Sequence, residues 1–378
     1  MELTPEQEAV RETVREFARE EIRPTALEAD RESAFPEDVW DGLADLDLTG
    51  LTVPEAYGGY DADPVTAAVV NEEVAYGMLA VATALSVHSL ATSCLAAFGS
   101  KAQQERWLPE MAEGRPVGAF ALSEPHAGSN PAEMATEARR EGDEYVIDGE
   151  KQWITNGERA GVYIVFAKTD RDDPSTITQF LVPGDVDGLA VGEPEAKLGL
   201  RASDTTSLTF DGVRIPAENR LTEEGAGLSA AFHILTGGRI AIAAQSVGLA
   251  RCALDEALAY SKERDQFGGP IADIQTIRHK LAEMATRIRA ARLLTRDAAR
   301  TREADLSPGS AALEASMAKY FASEAATFVT NEAVQIHGGY GYVTEGEVER
   351  LYRDAKITEI YEGTTEIQKT VIARELLE

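Results

Sequence analysis

The hydrophobic periodicity of this 378-residue chain changes twice, and that order restricts the folds open to it. Apolar residues recur at helical spacing over roughly the first 115 residues, and helix starts are predicted at Thr4 and Asp63, where a capping side chain precedes a proline. From about Pro116, short β-rich runs alternate with Gly, Pro and Asp turns. Long helical segments return from about Gly225 and predict an up-and-down bundle.

We therefore predict a multi-domain α+β protein, because a chain of this length exceeds the size at which one hydrophobic core stops growing. The expected parts are an N-terminal helical domain at 1–115, a middle antiparallel β-barrel or sandwich domain at 116–222 and a C-terminal four-helix bundle domain at 223–378. The sequence has no βαβ alternation, no GxGxxG motif after a strand and no P-loop, which disfavours a Rossmann nicotinamide site and P-loop nucleotide hydrolysis.

The formal charge of −29, from 65 acidic and 36 basic residues, disfavours binding to nucleic acid and to anionic lipid. Only nine of the basic residues are lysines. Scarce lysine with abundant carboxylate is typical of a surface adapted to high intracellular salt, where counterions screen self-repulsion. An ordinarily acidic mesophilic protein is the alternative.

Residues 74–100 contain no Asp, Glu, Lys or Arg and are long enough to span a membrane. Gly, Ser, Thr and His interrupt the segment, so we expect a buried helix, continuous with the one that starts at Asp63, and no membrane insertion. The N-terminus lacks the basic and apolar regions of a signal peptide, and we expect a cytoplasmic protein. Two cysteines and five scattered histidines predict neither a disulfide framework nor a metal site.

Glu362 and Gly363 lie between two predicted helices, and Thr364 can cap the second of them. A surface turn is the simpler interpretation of this segment. A carboxylate held in such a joint and desolvated by a ligand has a raised pKa, as a general base requires.

Four further segments carry weaker indications of a binding site. Residues 121–130 form either an irregular turn or a loop that presents hydroxyl and amide donors, and Trp153 and Thr155, two apart on a strand, form either core packing or a cover for a planar heterocycle. The glycines of residues 335–341 follow a helix and are weak evidence for a pyrophosphate site. Arg264 suits a phosphate, or simply the end of a helix.

Taken together, these segments resemble the acyl-CoA dehydrogenase family, and the resemblance covers nearly the whole chain. The most specific segments are 121–130, 149–157, 264–268, 335–341 and 353–368. The resemblance implies the three-domain fold, FAD bound between the β domain and the bundle, and a homotetramer built as a dimer of dimers.

The resemblance also implies roles for individual residues. Those expected to contact FAD are Phe120, Leu122, Ser123, Ser129, Trp153, Thr155, Arg264, Gln266, Phe267, Gln275, Gln335, Gly338, Gly339, Thr364 and Glu366. Among them, the four at 264–275 match positions that bind the ADP half of FAD across a subunit interface, and those at 335–339 are expected to meet the same half. Those expected to contact acyl-CoA are Ser129, Arg239 and Gly363, with Ser86, Val87 and Leu90 where the acyl tail ends.

By the same resemblance, Glu362 removes the α-proton of the thioester while the β-hydride passes to flavin N5. The product is a trans-2-enoyl-CoA, and electrons pass on to an electron-transfer flavoprotein. Some family branches carry the base on the helix around residues 235–240, but that segment here has no carboxylate. Glu362 is then the base, and the surrounding sequence looks most like that of short-chain, butyryl-type members.

The chain departs from the family pattern at a few positions of one loop. Ser123 stands where Thr is usual, and His126 and Asn130 replace Gly and Asp. His126 is either a neutral replacement or a change in the approach of the CoA pyrophosphate. Two alternatives to a dehydrogenase are an acyl-CoA oxidase that uses O₂ and a non-catalytic acyl-CoA-binding flavoprotein; the retained Glu362 disfavours the second.

Overall fold

The computed structural model describes residues 2–304 and 308–377, and its first part is helical. The helices of this N-terminal domain are α1 Pro5–Phe17, α2 Ala26–Glu32, α3 Glu37–Asp45, α4 Pro64–Gly77, α5 Leu79–Phe98 and α6 Lys101–Ala112. Thr4 forms a capping box with Gln7, and the Asp63 carboxylate accepts from the backbone amides of Val65 and Thr66. Both predicted helix starts are confirmed.

The uncharged segment is split between two helices, which corrects the expectation of one continuous helix. Met78 has an extended backbone (φ −159°, ψ 123°) between α4 and α5, so the helical hydrogen bonds stop there. Most of α5 is buried, as predicted. By length and composition, α5 and the helix Gly227–Glu263 are both apolar enough to cross a membrane, but 83% and 61% of their apolar windows are buried within the protein, as in a core helix.

The middle domain is a seven-stranded curled sheet in the order β1-β4-β2-β3-β7-β6, with β5 paired to β4. Its strands are β1 Val117–Ala121, β2 Glu137–Glu141, β3 Glu144–Ile154, β4 Ala160–Lys168, β5 Ile177–Pro183, β6 Leu189–Val191 and β7 Thr206–Pro216. The β domain is confirmed, but its pairing is not wholly antiparallel. β1 pairs with β4 in parallel, because the β2–β3 hairpin intervenes and returns the chain in the same direction.

The C-terminal domain is a helical bundle. Its helices are α7 Gly227–Glu263, α8 Gln275–Glu303, α9 Pro308–His337, α10 Glu347–Ala355 and α11 Thr365–Leu377, and a short hairpin, β8 Asp265–Gln266 with β9 Gly269–Pro270, joins α7 to α8. α9 packs on α7, α8 and α11, so these four helices form the predicted bundle and α10 is an addition to it.

Two adjacent residues of α10 tie the bundle to the other two domains. Arg353 donates to the Asp30 carboxylate of the N-terminal domain at 2.6 Å. The Asp354 carboxylate accepts from the backbone amide of Leu200, in the middle domain, at 2.6 Å. The segment that follows, which carries Glu362, therefore starts from a point fixed against all three domains.

Candidate active site

Glu362 lies in a short turn between the 3₁₀ segment Lys356–Glu359 and α11. Both Glu362 and Gly363 have left-handed backbones, with φ of 55° and 87°. A side chain at Gly363 would collide with Gln368, because an added Cβ would lie 2.6 Å from the Gln368 amide nitrogen. The turn therefore requires glycine at 363 and holds Glu362 in a conformation that non-glycine residues rarely adopt.

The Glu362 carboxylate points into the protein, so its interpretation as a simple surface turn is wrong. Its Oε2 atom is buried and has no hydrogen-bond partner among the described residues. It packs against Gly238 of α7, where an added Cβ would lie 2.6 Å from Oε2. Burial raises the pKa of Glu362 to about 7, although the charges of Arg239 and Lys319 oppose the rise. This carboxylate has the ionisation of a general base.

Arg239, the residue after Gly238, is a buried cation beside this carboxylate. Burial lowers the pKa of its guanidinium while Glu362 acts to raise it. Its Nη1 atom lies 3.5 Å from the Ser316 hydroxyl, and its Nε atom has no partner in the part of the chain that the structure describes. The Nε–H is thus a donor available to a ligand.

A cavity of about 240 Å³ adjoins the carboxylate at Gly238. Most of the lining comes from three helices, each of which contributes residues at positions i, i+3, i+4 and i+7, on one face of the helix. These residues are Pro64, Ala67, Ala68 and Asn71 of α4, Ser86, Ser89, Leu90 and Ser93 of α5, and Ile234, Gly237, Gly238 and Ala241 of α7. The predicted tail residues Ser86 and Leu90 belong to this lining, and Val87 lies outside it. Most of the side chains are small, and that is why the three helices leave a cavity.

The helix α5 anchors the segment of the predicted flavin residues Trp153 and Thr155 and also the turn of Glu362. The buried Asn156 amide donates to the carbonyl of Ala84 at 2.9 Å, while the hydroxyl of Tyr361 lies 3.4 Å from that of Thr83. Adjacent residues of α5 therefore anchor the Trp153 segment and the Glu362 turn.

The argument from strand alternation for Trp153 and Thr155 is wrong, although both residues flank this region. The β3–β7 register shifts between Lys151 and Ile154, and Trp153 has a left-handed φ of 63°. Alternation cannot be applied across such a bulge. The Trp153 side chain is 59% exposed, which leaves its ring free to cover a planar ligand.

The loop at 121–130 is fixed by a buried ion pair that the sequence reasoning missed. Lys151 of β3 donates to the Glu124 carboxylate at 2.8 Å, and the hydroxyl of Thr136 donates to it at 2.5 Å. Burial acts to raise the pKa of Glu124, but Lys151 and the hydrogen bonds outweigh it and hold the pKa below its usual value. The structure buries the predicted Leu122, half-buries Phe120 and Ser123, and exposes Ser129. A lysine among inward-facing strand residues is the feature that would have indicated this pair.

The residues predicted for the ADP half of FAD form a second group at the far end of the bundle. Arg264, Gln266 and Phe267 lie on the β8–β9 hairpin, with Gln275 at the start of α8 and Gln335, Gly338 and Gly339 at the end of α9, all exposed. The Arg264 guanidinium lies 5.8 Å from the Tyr340 ring centroid. This contact joins the hairpin to the glycine turn, the 3₁₀ segment Gly338–Gly341 that follows α9.

The two groups are too far apart for one cofactor to contact both. Arg239, beside Glu362, and Arg264 are separated by about 38 Å along the axis of α7, at the rise of an α-helix. The structure thus brings together Trp153, Thr155 and Glu362, and separately the hairpin and the glycine turn, but it does not bring the two groups together within one chain.

Both groups fit halves of FAD. An exposed tryptophan and a buried carboxylate, on two segments anchored to adjacent residues of α5, suit a flavin ring. At the other end, a Cβ added to Gly268, Gly338 or Gly339 would meet nothing within 4 Å, which leaves open space for phosphates beside Arg264.

Thr364 accepts from the Ile367 amide at 3.3 Å and so caps α11, and Glu366 is exposed in the first turn of that helix. Its carboxylate has a lowered pKa because its own backbone amide and the Thr364 hydroxyl donate to it.

Comparison with known proteins supports the same assignment. The models described as "Acyl-CoA dehydrogenase, N-terminal domain", "middle domain" and "C-terminal domain" match residues 4–115, 119–213 and 225–377. The chain is 44% identical to "Short-chain specific acyl-CoA dehydrogenase, mitochondrial" of Rattus norvegicus, covering 100% of this chain and 91% of that one.

Two solved structures are also similar over almost their full length. One is butyryl-CoA dehydrogenase from Megasphaera elsdenii, with 40% identity, a TM-score of 0.96 and 100% coverage of both chains. The other is described as "Electron transferring flavoprotein of Acidaminococcus fermentans", with 38% identity, a TM-score of 0.97 and coverage of 100% and 99%. Together with the three matched domains, these similarities show that the chain belongs to the acyl-CoA dehydrogenase family.

Proposed function

We propose that this oxidoreductase dehydrogenates a short-chain acyl-CoA to the trans-2-enoyl-CoA, with Glu362 as the base for the α-proton. The observation that carries the proposal is the buried, unpartnered Oε2 of Glu362, which adjoins the cavity at Gly238 and belongs to a carboxyl with a pKa of about 7. At neutral pH a large fraction of carboxyl groups with this pKa are ionised and can accept a proton. Their proton affinity is also high enough to favour removal of the α-proton.

Removal of the α-proton requires a donor to the thioester carbonyl, on which negative charge develops. The backbone N–H of Glu362 is free for this task, because it donates no hydrogen bond within residues 2–304 and 308–377. Residue 362 lies in the turn between the 3₁₀ segment Lys356–Glu359 and α11, where its backbone φ is 55°. Residue 362 then supplies both the base and an oxyanion donor.

Acyl-CoA dehydrogenases are FAD flavoproteins, and bound FAD supplies the acceptor for the hydride that leaves the β-carbon. In this chain, Trp153 and Thr155 lie where they can flank the flavin ring. Arg239, beside Glu362, has an Nε–H without a partner among the described residues, which is available to a bound substrate.

The small cavity supports a short acyl group. Its three helix faces line about 240 Å³, and Leu90 packs against Gly238, 3.4 Å from an added Cβ there. The similarity to short-chain and butyryl-CoA relatives supports the same substrate class.

The 38 Å separation along α7 supports assembly into a homotetramer, a dimer of dimers, in which the hairpin of one copy completes the FAD site of another. Phe267 is 97% exposed at the tip of that hairpin, and Tyr340, the ring that Arg264 contacts, is exposed as well; large exposed apolar side chains of this kind indicate a protein interface. We also propose an electron-transfer flavoprotein as the electron acceptor, supported by the similarity to the Acidaminococcus fermentans structure.

Anaerobic titration of the FAD-loaded protein with acyl-CoAs of increasing length and branching tests this function. Butyryl-CoA should bleach the flavin most completely. Rapid O₂ consumption by the reduced protein would favour the oxidase alternative, and a spectrum unchanged by every acyl-CoA would favour the non-catalytic one.

A further inference from the structure

Lys319 is a buried lysine in the middle of α9. Its side chain is 0% exposed, and within residues 2–304 and 308–377 its ammonium forms one hydrogen bond, to the Gly363 carbonyl at 2.7 Å. No carboxylate forms an ion pair with it among the residues that the structure describes. Burial lowers the pKa of Lys319 to about 8, although Glu362 acts to raise it. Burying an ammonium without an ion-pair partner costs stability, which calls for a compensating role.

The carbonyl that Lys319 holds belongs to the left-handed turn of the base. Gln368 donates to the same Gly363 carbonyl at 2.9 Å and to the Glu362 carbonyl at 3.1 Å. Three hydrogen bonds thus fix two successive carbonyls in the segment where φ is positive at both residues. A left-handed non-glycine residue costs about 1–2 kcal/mol, so these bonds stabilise a conformation that the chain alone would not favour.

The charge of Lys319 also faces the Glu362 carboxylate. The charged groups around this carboxylate come from two elements, Arg239 of α7 and Lys319 of α9, and both act to lower its pKa against the effect of burial. The neighbouring Tyr361 hydroxyl is neutral because burial raises its pKa above the ordinary value. Glu359 and Glu366 face Lys319 from the preceding turn and from α11.

We propose that Lys319 is a positioning residue for the base: it holds the Gly363 carbonyl so that Glu362 keeps its left-handed backbone, and its charge favours the ionised carboxylate. This inference rests on the proposed function of Glu362. Lys319 then contributes in two ways: its hydrogen bond orients the base, and its charge keeps the carboxylate ionised.

The test compares Lys319→Met, which removes the donor and the charge, with Lys319→Gln, which keeps an N–H donor without the charge. Ser323→Ala is the matched control, because Ser323 is also buried in α9 and its hydroxyl donates within the helix, to the Tyr320 carbonyl. Steady-state kinetics with butyryl-CoA are measured from pH 5.5 to 9. Infrared difference spectra against Glu362→Gln follow the protonated Glu362 carboxyl through the same pH range, without turnover.

We expect Lys319→Met to lower kcat about 10-fold or more with KM changed less than about 2-fold, the pattern for an interaction used in the transition state. Its acid-limb midpoint in kcat/KM and its infrared midpoint should both rise by roughly one pH unit. Lys319→Gln should recover part of kcat but keep the raised midpoint. Ser323→Ala should match the wild type in every reading.

The proposal would be overturned if the wild type is active and Lys319→Met has the same kcat and the same midpoints as the wild type. Loss of the folded, FAD-loaded protein in both variants would overturn it too, because Lys319 would then serve folding. If no acyl-CoA bleaches the wild type yet the infrared midpoint still rises in Lys319→Met, the proposed function fails and the charge effect of Lys319 stands.

Discussion

The Glu362 carboxylate packs directly on Gly238, so closely that a Cβ at 238 would lie 2.6 Å from Oε2. Because residue 238 has no side chain, α7 leaves space for the carboxylate of the proposed base. Gly238 also separates Glu362 from the Leu90 side chain, which lies 3.4 Å from the same added Cβ.

Gly238→Ala should displace this carboxylate and lower kcat for butyryl-CoA by about 10-fold or more, since a misplacement of about 1 Å costs on the order of 100-fold in rate. Stability should change little, because alanine improves helix propensity by about 1 kcal/mol and so offsets part of the crowding. Ser246→Ala is the control on the same helix, because the buried Ser246 hydroxyl donates within the helix, to the Ile242 carbonyl. Equal kcat in the two variants would show that Gly238 does not position the base.

The local sequence around Glu362, a carboxylate beside glycine between two helices, allowed a base but favoured a surface turn, and the role of base was predicted from the resemblance to the acyl-CoA dehydrogenase family. Its surroundings were not predictable in the same way. Gly238 and Lys319 are 124 and 43 residues away along the chain, and only the packing of α7, α9 and the final turn brings them to Glu362. A lone lysine among small residues of α9 was the one local indication.

The fold shows the same division between local and long-range information. Helix starts at Thr4 and Asp63 followed from capping chemistry, which acts over three residues. The break at Met78 and the parallel pairing of β1 with β4 did not, because Met78 lies within one continuous uncharged segment and the pairing depends on the path of an intervening hairpin. The two separate FAD groups likewise follow from the length of α7.

Glu362 should lower the stability of the folded protein at neutral and alkaline pH. Its pKa is about 7 in the folded state against an ordinary value of 4.5, so the native state binds more protons than the unfolded state between these values. Stability from this group is present at low pH, falls as pH rises through 4.5 to 7, and stays reduced above.

Glu362→Gln removes this cost, because an amide does not ionise. The melting temperature of the FAD-loaded variant should exceed that of the wild type at pH 8, with a free-energy difference of up to about 3 kcal/mol, and the two should converge below pH 4.5, the ordinary pKa of the carboxyl. Identical melting temperatures at both pH values would contradict a raised pKa at Glu362.

The exposed Phe267 should be needed for assembly and for cofactor retention. Phe267→Ser removes the most exposed large apolar side chain of the hairpin tip, and we expect a smaller oligomer by light scattering together with loss of FAD on gel filtration. Leu376→Ser, which changes another exposed apolar residue at the end of α11, is the control. A Phe267→Ser protein with the wild-type mass and a full flavin content would exclude a shared FAD site at this hairpin.

Salt should stabilise the protein if its charge of −29 reflects adaptation to high salt. The screening length falls from about 10 Å at 0.1 M to about 3 Å at 1 M, which weakens repulsion among surface carboxylates. The melting temperature should rise by at least about 5 °C between 0.1 and 2 M KCl. A flat or falling melting temperature over this range would indicate an ordinarily acidic protein.

The role of Glu362 is tested most directly by mixing butyryl-CoA anaerobically with FAD-loaded wild type and with Glu362→Gln and following the flavin absorbance. The wild type should bleach rapidly, while the variant should keep its oxidised spectrum and lose about 100-fold or more in the rate of reduction. The acid limb of the wild-type rate should have a midpoint near pH 7, because the carboxylate must be ionised to accept the proton. Bleaching of Glu362→Gln at the wild-type rate would contradict the assignment of Glu362 as the base.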